Sequence, residues 1–232
     1  MDETVIPRPV APSLVVQGTS ARFPVRRVYC VGRNYADHAR EMGATGRERP
    51  FFFAKPADAV LNVADGTEGL MAYPPVTQNL HHEVELVVAL GSGGHDLSAE
   101  QAAACIWGFA IGLDMTRRDL QSEAKKAGRP WETGKAFDHS APIGPLHPVQ
   151  QTGPMTSGTI ELLVNGQPRQ AGNLSDMIWS VSEAIADLST FFTLQPGDLL
   201  FTGTPAGVGP VVRGDHLEAK VQGLGTLKVR IG

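Results

Sequence analysis

The chain is short of cysteine, has no long apolar run and carries no surplus of positive charge. Each shortage removes a class of explanation. Of 232 residues only Cys30 and Cys105 are cysteines, both in apolar neighbourhoods. Two buried free thiols fit that placement better than a disulfide, and they point to a reducing cytoplasm. No apolar stretch approaches the ~20 residues needed to cross a bilayer. Prolines and Arg8 interrupt any signal-like core near the N-terminus. Lys and Arg total 20 against 24 Asp and Glu, a formal net charge of −4. That balance argues against a nucleic-acid partner, and the missing apolar run argues against a membrane one. Internal repeats and low-complexity tracts are also missing.

Glycine (26) and proline (17) are plentiful, which implies many tight turns between short strands. Residues 1–24 read as a Pro-rich lead-in with an edge strand near Leu14–Val16. Residues 25–232 read as a single domain. Arg26–Gly32 reads as a strand ending in a glycine turn. Asn34 is a good N-cap for a helix from Tyr35 to about Met42, with Asp37 at N3 and Gly43 as its stop. Phe51–Pro56 is an aromatic strand ended by proline. Ser98 and Gln101 form a capping-box pair ahead of a short helix. Ile106–Asp114 is an apolar strand ending on an acid, and a polar helix from about Thr116 to Ala127 follows, stopped by Gly128. Asn165-Gly166 marks a hairpin between Thr159–Val164 and a second strand near Pro168. Ser175–Phe192 is amphipathic and helical, and Asp198–Ile231 is a set of short strands. The pattern is α+β, mainly β, rather than regular βαβ repeats.

The segment His81-His82-Glu83-Val84-Glu85-Leu86-Val87-Val88-Ala89-Leu90 carries the most chemistry. Val84, Leu86, Val88 and Leu90 alternate on one face of a strand, and Glu83 and Glu85 share the other face with Val87 and Ala89. A strand apolar on both faces is usually buried. Two adjacent carboxylates there call for a positive partner, and hard oxygen ligands favour Mg²⁺, Mn²⁺ or Ca²⁺. The alternative is a strand end at a sheet rim, with both glutamates in water. Asp114 is either a third oxygen ligand or the cap of the following helix. Three carboxylates would leave about three of six positions open, which suits catalysis better than structural support.

His38 and Glu41 lie three apart on the expected helix. They are either a solvated pair or a histidine held by a carboxylate to take a proton from water. Arg118 and Gln121, in the run Arg117-Arg118-Asp119-Leu120-Gln121, either coat a helix or grip a substrate carboxylate. Lys135, in a glycine-flanked turn, either polarises a carbonyl or stands in water. Thr204, in Gly203-Thr204-Pro205-Ala206-Gly207-Val208-Gly209, either helps hold an anion or belongs to a structural turn. None of His81, His82, His95 and His139 shows zinc-type spacing.

Six motifs together resemble the fumarylacetoacetate hydrolase family, in its short acylpyruvate hydrolase branch. They are Val31-Gly32-Arg33-Asn34-Tyr35 with Asp37-His38 and Glu41; Phe52-Phe53 with Lys55-Pro56; His82-Glu83-Val84-Glu85-Leu86; Gly112-Leu113-Asp114 through Asp119; Lys135-Ala136-Phe137-Asp138; and Thr202-Gly203-Thr204-Pro205 with Gly207-Val208-Gly209. They occur in family order and cover about residues 26–230. The resemblance implies a mixed β-sandwich or β-roll with peripheral helices, usually a homodimer. It implies Mg²⁺ or Mn²⁺ (with Ca²⁺ able to take their place) on Glu83, Glu85 and Asp114. It further implies a lid at about 34–48 carrying His38 and Glu41 as the water-activating pair, and Lys135 near the reacting oxygen. Arg118, Gln121 and Thr204 match substrate contacts. Many relatives carry serine directly after the lysine, whereas this chain has Ala136. The expected substrate is a small 2,4-dioxo acid, most specifically 3-fumarylpyruvate, cleaved to fumarate and pyruvate. Oxaloacetate decarboxylation or hydroxy-dienedioate isomerisation are the alternatives within the family, and a non-catalytic metal-stabilised binding protein is the alternative outside it.

Overall fold

The computed structural model describes residues 4–7, 9–35 and 47–232. Its centre is an eight-stranded mixed sheet. From one edge inward the strands are Phe51–Lys55, Arg27–Gly32, Asp198–Phe201, Val84–Leu90, Ile106–Leu113, Ala141–Ile143 and Val60–Asn62, and His147–Pro148 adds to Ile106–Leu113. A five-stranded sheet packs against it, ordered Gln167–Asn173, Thr159–Val164, His216–Val221, Gly225–Ile231 and Glu68–Met71. Among the described residues helices are few and peripheral, so the mainly β expectation holds.

Period-two alternation along Val84–Leu90 separates two cores. Val84, Leu86, Val88 and Leu90 enter the larger one, beside Ile111 and Leu113 from the same sheet and Ile160, Leu162 and Leu217 from the five-stranded sheet. Val87 and Ala89 enter the smaller one with Cys30, Ala110 and Phe201. An N-terminal hairpin, Ser13–Val15 with Arg22–Pro24, adds Leu14 and Phe23 to that smaller core. Every residue of Val84–Leu90 is buried, which agrees with a strand apolar on both faces. Cys30 and Cys105 are both free and buried.

Local signals account for several boundaries. Ser98 and Gln101 make the reciprocal capping box that opens Ala99–Ala104. Asn165 and Gly166 both have positive φ (51° and 74°), the conformation a two-residue primed hairpin turn demands. Gly128 ends Arg118–Ala127 in the left-handed conformation.

Two helix boundaries differ from expectation. Thr116–Arg117 pairs as a strand with Leu80–His82, and this delays the polar helix to Arg118. The amphipathic helix expected from Ser175 begins at Val181, where Ser180 and Glu183 form the capping box; Leu174–Asp176 is a separate 3-10 turn. Between them, Asn34 pins the chain in a bend at Ile178 and Trp179. Its Oδ1 accepts the Trp179 N–H at 2.8 Å, and its Nδ2 donates to the carbonyls of Trp179 (2.9 Å) and Thr202 (2.8 Å). The expected helix after Asn34 lies almost wholly in residues 36–46, outside the described residues.

Asn34 is fully buried, so truncating it orphans three backbone groups with no water to replace it. Asn34→Ala is expected to cost about 2–4 kcal/mol. Urea denaturation should show a lower midpoint with an unchanged slope.

Candidate metal centre and active-site cleft

Three strands, Arg27–Gly32, Ile106–Leu113 and Asp198–Phe201, run in the same direction and finish at one edge of the large sheet. The antiparallel strand Val84–Leu90 starts at that edge, and its register sets Val84 opposite Leu113 and Glu85 opposite Gly112. Glu83, Glu85 and Asp114 are thereby side by side, and the Asp114 N–H donates to the Glu83 carbonyl at 2.9 Å. One carboxylate oxygen from each residue lies within 4.8 Å of the other two, and all three residues are buried. Relative exposure is 5% for Glu83 and 1% for Glu85 and Asp114, which excludes a rim in water. Asp114 is not the cap of the next helix; that position belongs to Arg117, which makes no side-chain capping bond.

Three cations converge on the carboxylates. Lys135 Nζ donates to Glu83 Oε2 at 2.9 Å and to Asp114 Oδ2 at 2.5 Å. Lys55 Nζ lies 2.8 Å from Asp114 Oδ1 and also donates to the carbonyls of Met115 (3.3 Å) and Lys135. The Arg118 guanidinium pairs with Glu83 Oε1 and donates to Gln121 Oε1 at 2.6 Å. Glu85 accepts the Gly203 N–H at 2.7 Å. Burial above all, and then the charges of Asp114 and Glu83, push the Glu85 carboxyl well above the ordinary carboxylate range. Burial disfavours the Lys135 ammonium, but Asp114 and Glu83 outweigh it and hold that pKa above the usual lysine value. Burial, followed by the nearby Arg118 charge, lowers His81 to about 4. Neutral His81 accepts from Arg118 Nε at 3.4 Å while its Nε2 is held by Asn79 Oδ1 at 2.8 Å.

Most of the residues singled out from the sequence meet here. Glu83, Glu85, Asp114, Arg118, Gln121, Lys135 and Thr204 all line one cleft, whose wall is completed by Arg33, Phe51, Phe53 and Trp131. Lys135 sits on the short helical turn Glu132–Lys135 and is 2% exposed, so it does not stand in water. Thr204 is buried, its hydroxyl donating to the Val84 carbonyl at 2.8 Å and accepting from Gln170 Nε2 at 2.8 Å. His38 and Glu41 lie outside the described residues. The chain on either side of them is anchored. Asn34 is bonded to Trp179, Trp179 Nε1 donates to the Glu48 carbonyl at 3.0 Å, and the Arg47 guanidinium lies 4.3 Å from the Trp179 ring.

Sequence reasoning did not assign a role to Lys55. It is among the most completely buried side chains of the protein, and its position at the end of the apolar run Phe51–Ala54 was the available signal. A lysine so placed needs a buried carboxylate.

The donor set fits a divalent cation. Three hard oxygens converge in a buried cleft, and their mutual repulsion would be relieved by an ion such as Mg²⁺ or Mn²⁺, with Ca²⁺ able to take its place. A stability test follows from Glu85. Its folded pKa lies above the unfolded one, so its stabilising contribution is complete below the ordinary value of 4.5 and is lost as pH rises through the raised value. In chelator, the wild-type thermal midpoint should therefore fall with rising pH relative to Glu85→Gln. Added Mn²⁺ should raise the wild-type midpoint near neutral pH, and Glu85→Gln should lose most of that rise.

Comparison with known proteins agrees with this geometry. A fumarylpyruvate hydrolase from Pseudomonas aeruginosa, crystallised with Mn²⁺ and pyruvate, is 55% identical with a TM-score of 0.97, covering 99% of each chain. A fumarylpyruvate hydrolase from a Ralstonia species is 45% identical across 80% of this chain and 94% of its own length. An oxaloacetate tautomerase from Escherichia coli K12 is 42% identical across 89% of this chain and 93% of its own. Residues 27–232 match the fumarylacetoacetate (FAA) hydrolase C-terminal family. With the match spanning nearly the whole chain, this protein belongs to the fumarylacetoacetate hydrolase family.

Proposed function

We propose that the chain hydrolyses the carbon–carbon bond of an acylpyruvate, with 3-fumarylpyruvate as substrate and fumarate and pyruvate as products. The observation that carries this reading is the convergence of three buried carboxylates and Lys135 in one cleft, in a chain 55% identical to a fumarylpyruvate hydrolase.

Glu83, Glu85 and Asp114 would hold the cation. When bound, that cation supplies Lewis acidity toward the oxo-acid end and a sink for charge as the bond breaks. Arg118 and Gln121 anchor and orient the substrate's carboxylate end, and Thr204 joins them by exchanging the Val84 carbonyl for the substrate as acceptor of its hydroxyl proton. Lys135, kept as an ammonium by Asp114 and Glu83, faces the developing oxyanion. His38, positioned by Glu41, takes a proton from water, and the water oxygen bonds to the C4 carbonyl carbon. The C3–C4 bond then breaks. Its electron pair leaves on C3 as the enolate of pyruvate, which a proton quenches. The roles of His38 and Glu41 rest on the motif Val31-Gly32-Arg33-Asn34-Tyr35 with Asp37, His38 and Glu41. The reading includes a cytoplasmic enzyme, supported by the two buried thiols, and a homodimer, supported by the family resemblance.

The 42% identical oxaloacetate tautomerase favours a second reading, proton transfer on oxaloacetate without bond cleavage. Product analysis separates the two. With Mn²⁺ the protein is expected to convert fumarylpyruvate to two acids and to act on it faster than on oxaloacetate. Glu83→Ala and His38→Ala should each lower kcat by roughly 10²–10⁴-fold with circular dichroism unchanged. Full turnover by Glu83→Ala in chelator would falsify the mechanism, and a product mixture of oxaloacetate tautomers alone would favour the second reading.

A further inference from the structure

Among the described residues, one cation in the cleft is not matched to a carboxylate. Lys55, Lys135 and Arg118 all pair with the acidic cluster. Arg33 lines the same cleft, yet among the described residues it makes no ion pair, and its Nε is buried without a hydrogen-bond partner. A buried guanidinium nitrogen with nothing to donate to is costly, and it is the kind of group a ligand anion satisfies.

The local structure aims Arg33 into the cleft. It directly follows the strand Arg27–Gly32 and has φ 57°, a left-handed conformation uncommon for arginine. Such a conformation persists where the surroundings enforce it, often at ligand sites. Its guanidinium carbon lies 5.3 Å from the centre of the Phe51 ring. Trp131 meets Phe51 edge-on, with centroids 5.3 Å apart and planes at 90°. Gly32 permits this arrangement, since a Cβ there would fall 2.1 Å from a Phe51 ring atom. The wall is therefore an aromatic shelf carrying a guanidinium that, among the described residues, has no carboxylate partner. On the acylpyruvate reading, the acidic cluster takes the oxo-acid end of the substrate. The shelf offers planar apolar surface for an unsaturated carbon chain and a fork for a second carboxylate.

We propose that Arg33 binds the distal carboxylate of a dicarboxylate substrate and so selects fumaryl over neutral acyl groups. This rests on the reading of the cleft as an acylpyruvate site and deepens it by assigning the acyl end. Arg33 touches substrate far from the bond that breaks, so its effect is on specificity rather than on the chemical step.

The test compares fumarate with crotonate, which has the same unsaturated backbone with a methyl group replacing one carboxylate. Binding to the Mn²⁺-loaded protein is measured by calorimetry. Wild type should bind fumarate roughly tenfold to a hundredfold more tightly than crotonate. Arg33→Gln should bring the two affinities together by weakening fumarate alone, Arg33→Lys should keep part of the gap, and Mn²⁺ affinity should not change. Arg33→Asn, which tolerates left-handed backbone, repeats the comparison if the glutamine variant does not fold. No fumarate preference in wild type, or a preference that survives Arg33→Gln, overturns the assignment. Turnover separates this from the functional reading. If wild type cleaves fumarylpyruvate and Arg33→Gln slows fumarylpyruvate and acetylpyruvate equally, the hydrolase stands and the Arg33 assignment falls. If wild type cleaves neither, the hydrolase reading falls, and the calorimetry still decides Arg33.

Discussion

Three carboxylates buried side by side cannot coexist without counter-charge, and much of this structure is arranged around that constraint. Glu83, Glu85 and Asp114 share one sheet edge because of the register between Val84–Leu90 and Ile106–Leu113. Lys55, Lys135 and Arg118 reach the cluster from three different elements: an edge strand, a short helical turn and the first turn of a helix. Even the backbone contributes, through the Gly203 N–H on Glu85. Gly203 has φ +97°, and a Cβ there would lie 2.7 Å from the Asn34 Cβ, so only glycine fits. Buried ion sets of this kind are weak sources of stability, because desolvation offsets most of the attraction. Their presence makes sense as a binding device whose charges are held ready.

The fold separates stability from chemistry. The apolar alternation of Val84–Leu90 feeds two cores on opposite faces of the large sheet, while the acids collect at its edge. Three strand ends and one strand start meet there. Side chains at that edge can project into a cleft without breaking the ladder behind them. Phe51 illustrates the division: it lines the cleft, while its neighbour Phe52 packs against the larger core.

Much of this was legible in the residues themselves. The two faces of Val84–Leu90, the Ser98 capping box and the Asn165-Gly166 turn are local rules, and they appear as expected. Two glutamates at the start of a doubly apolar strand pointed to an acidic cluster, with a rim in water as the alternative, and their burial decides between the two. What sequence alone did not show is set by contacts distant along the chain. Thr116 is a strand residue because His81 lies opposite it. The helix before Phe192 starts late because Asn34, far upstream, ties both backbone groups of Trp179 in a bend. Lys55 and Arg33 gain their meaning from Asp114 and Phe51, across the curl of the sheet in one case and at a neighbouring strand in the other.

Trp179 has a consequence beyond packing. Its backbone is bonded to Asn34 and its indole N–H to the carbonyl of Glu48. The stretch carrying His38 and Glu41 thus leaves from and returns to a single mooring. Bringing two distant points of a chain together normally costs entropy. Here the folded body has met that cost for Asn34 and Glu48, which share Trp179 as their common support.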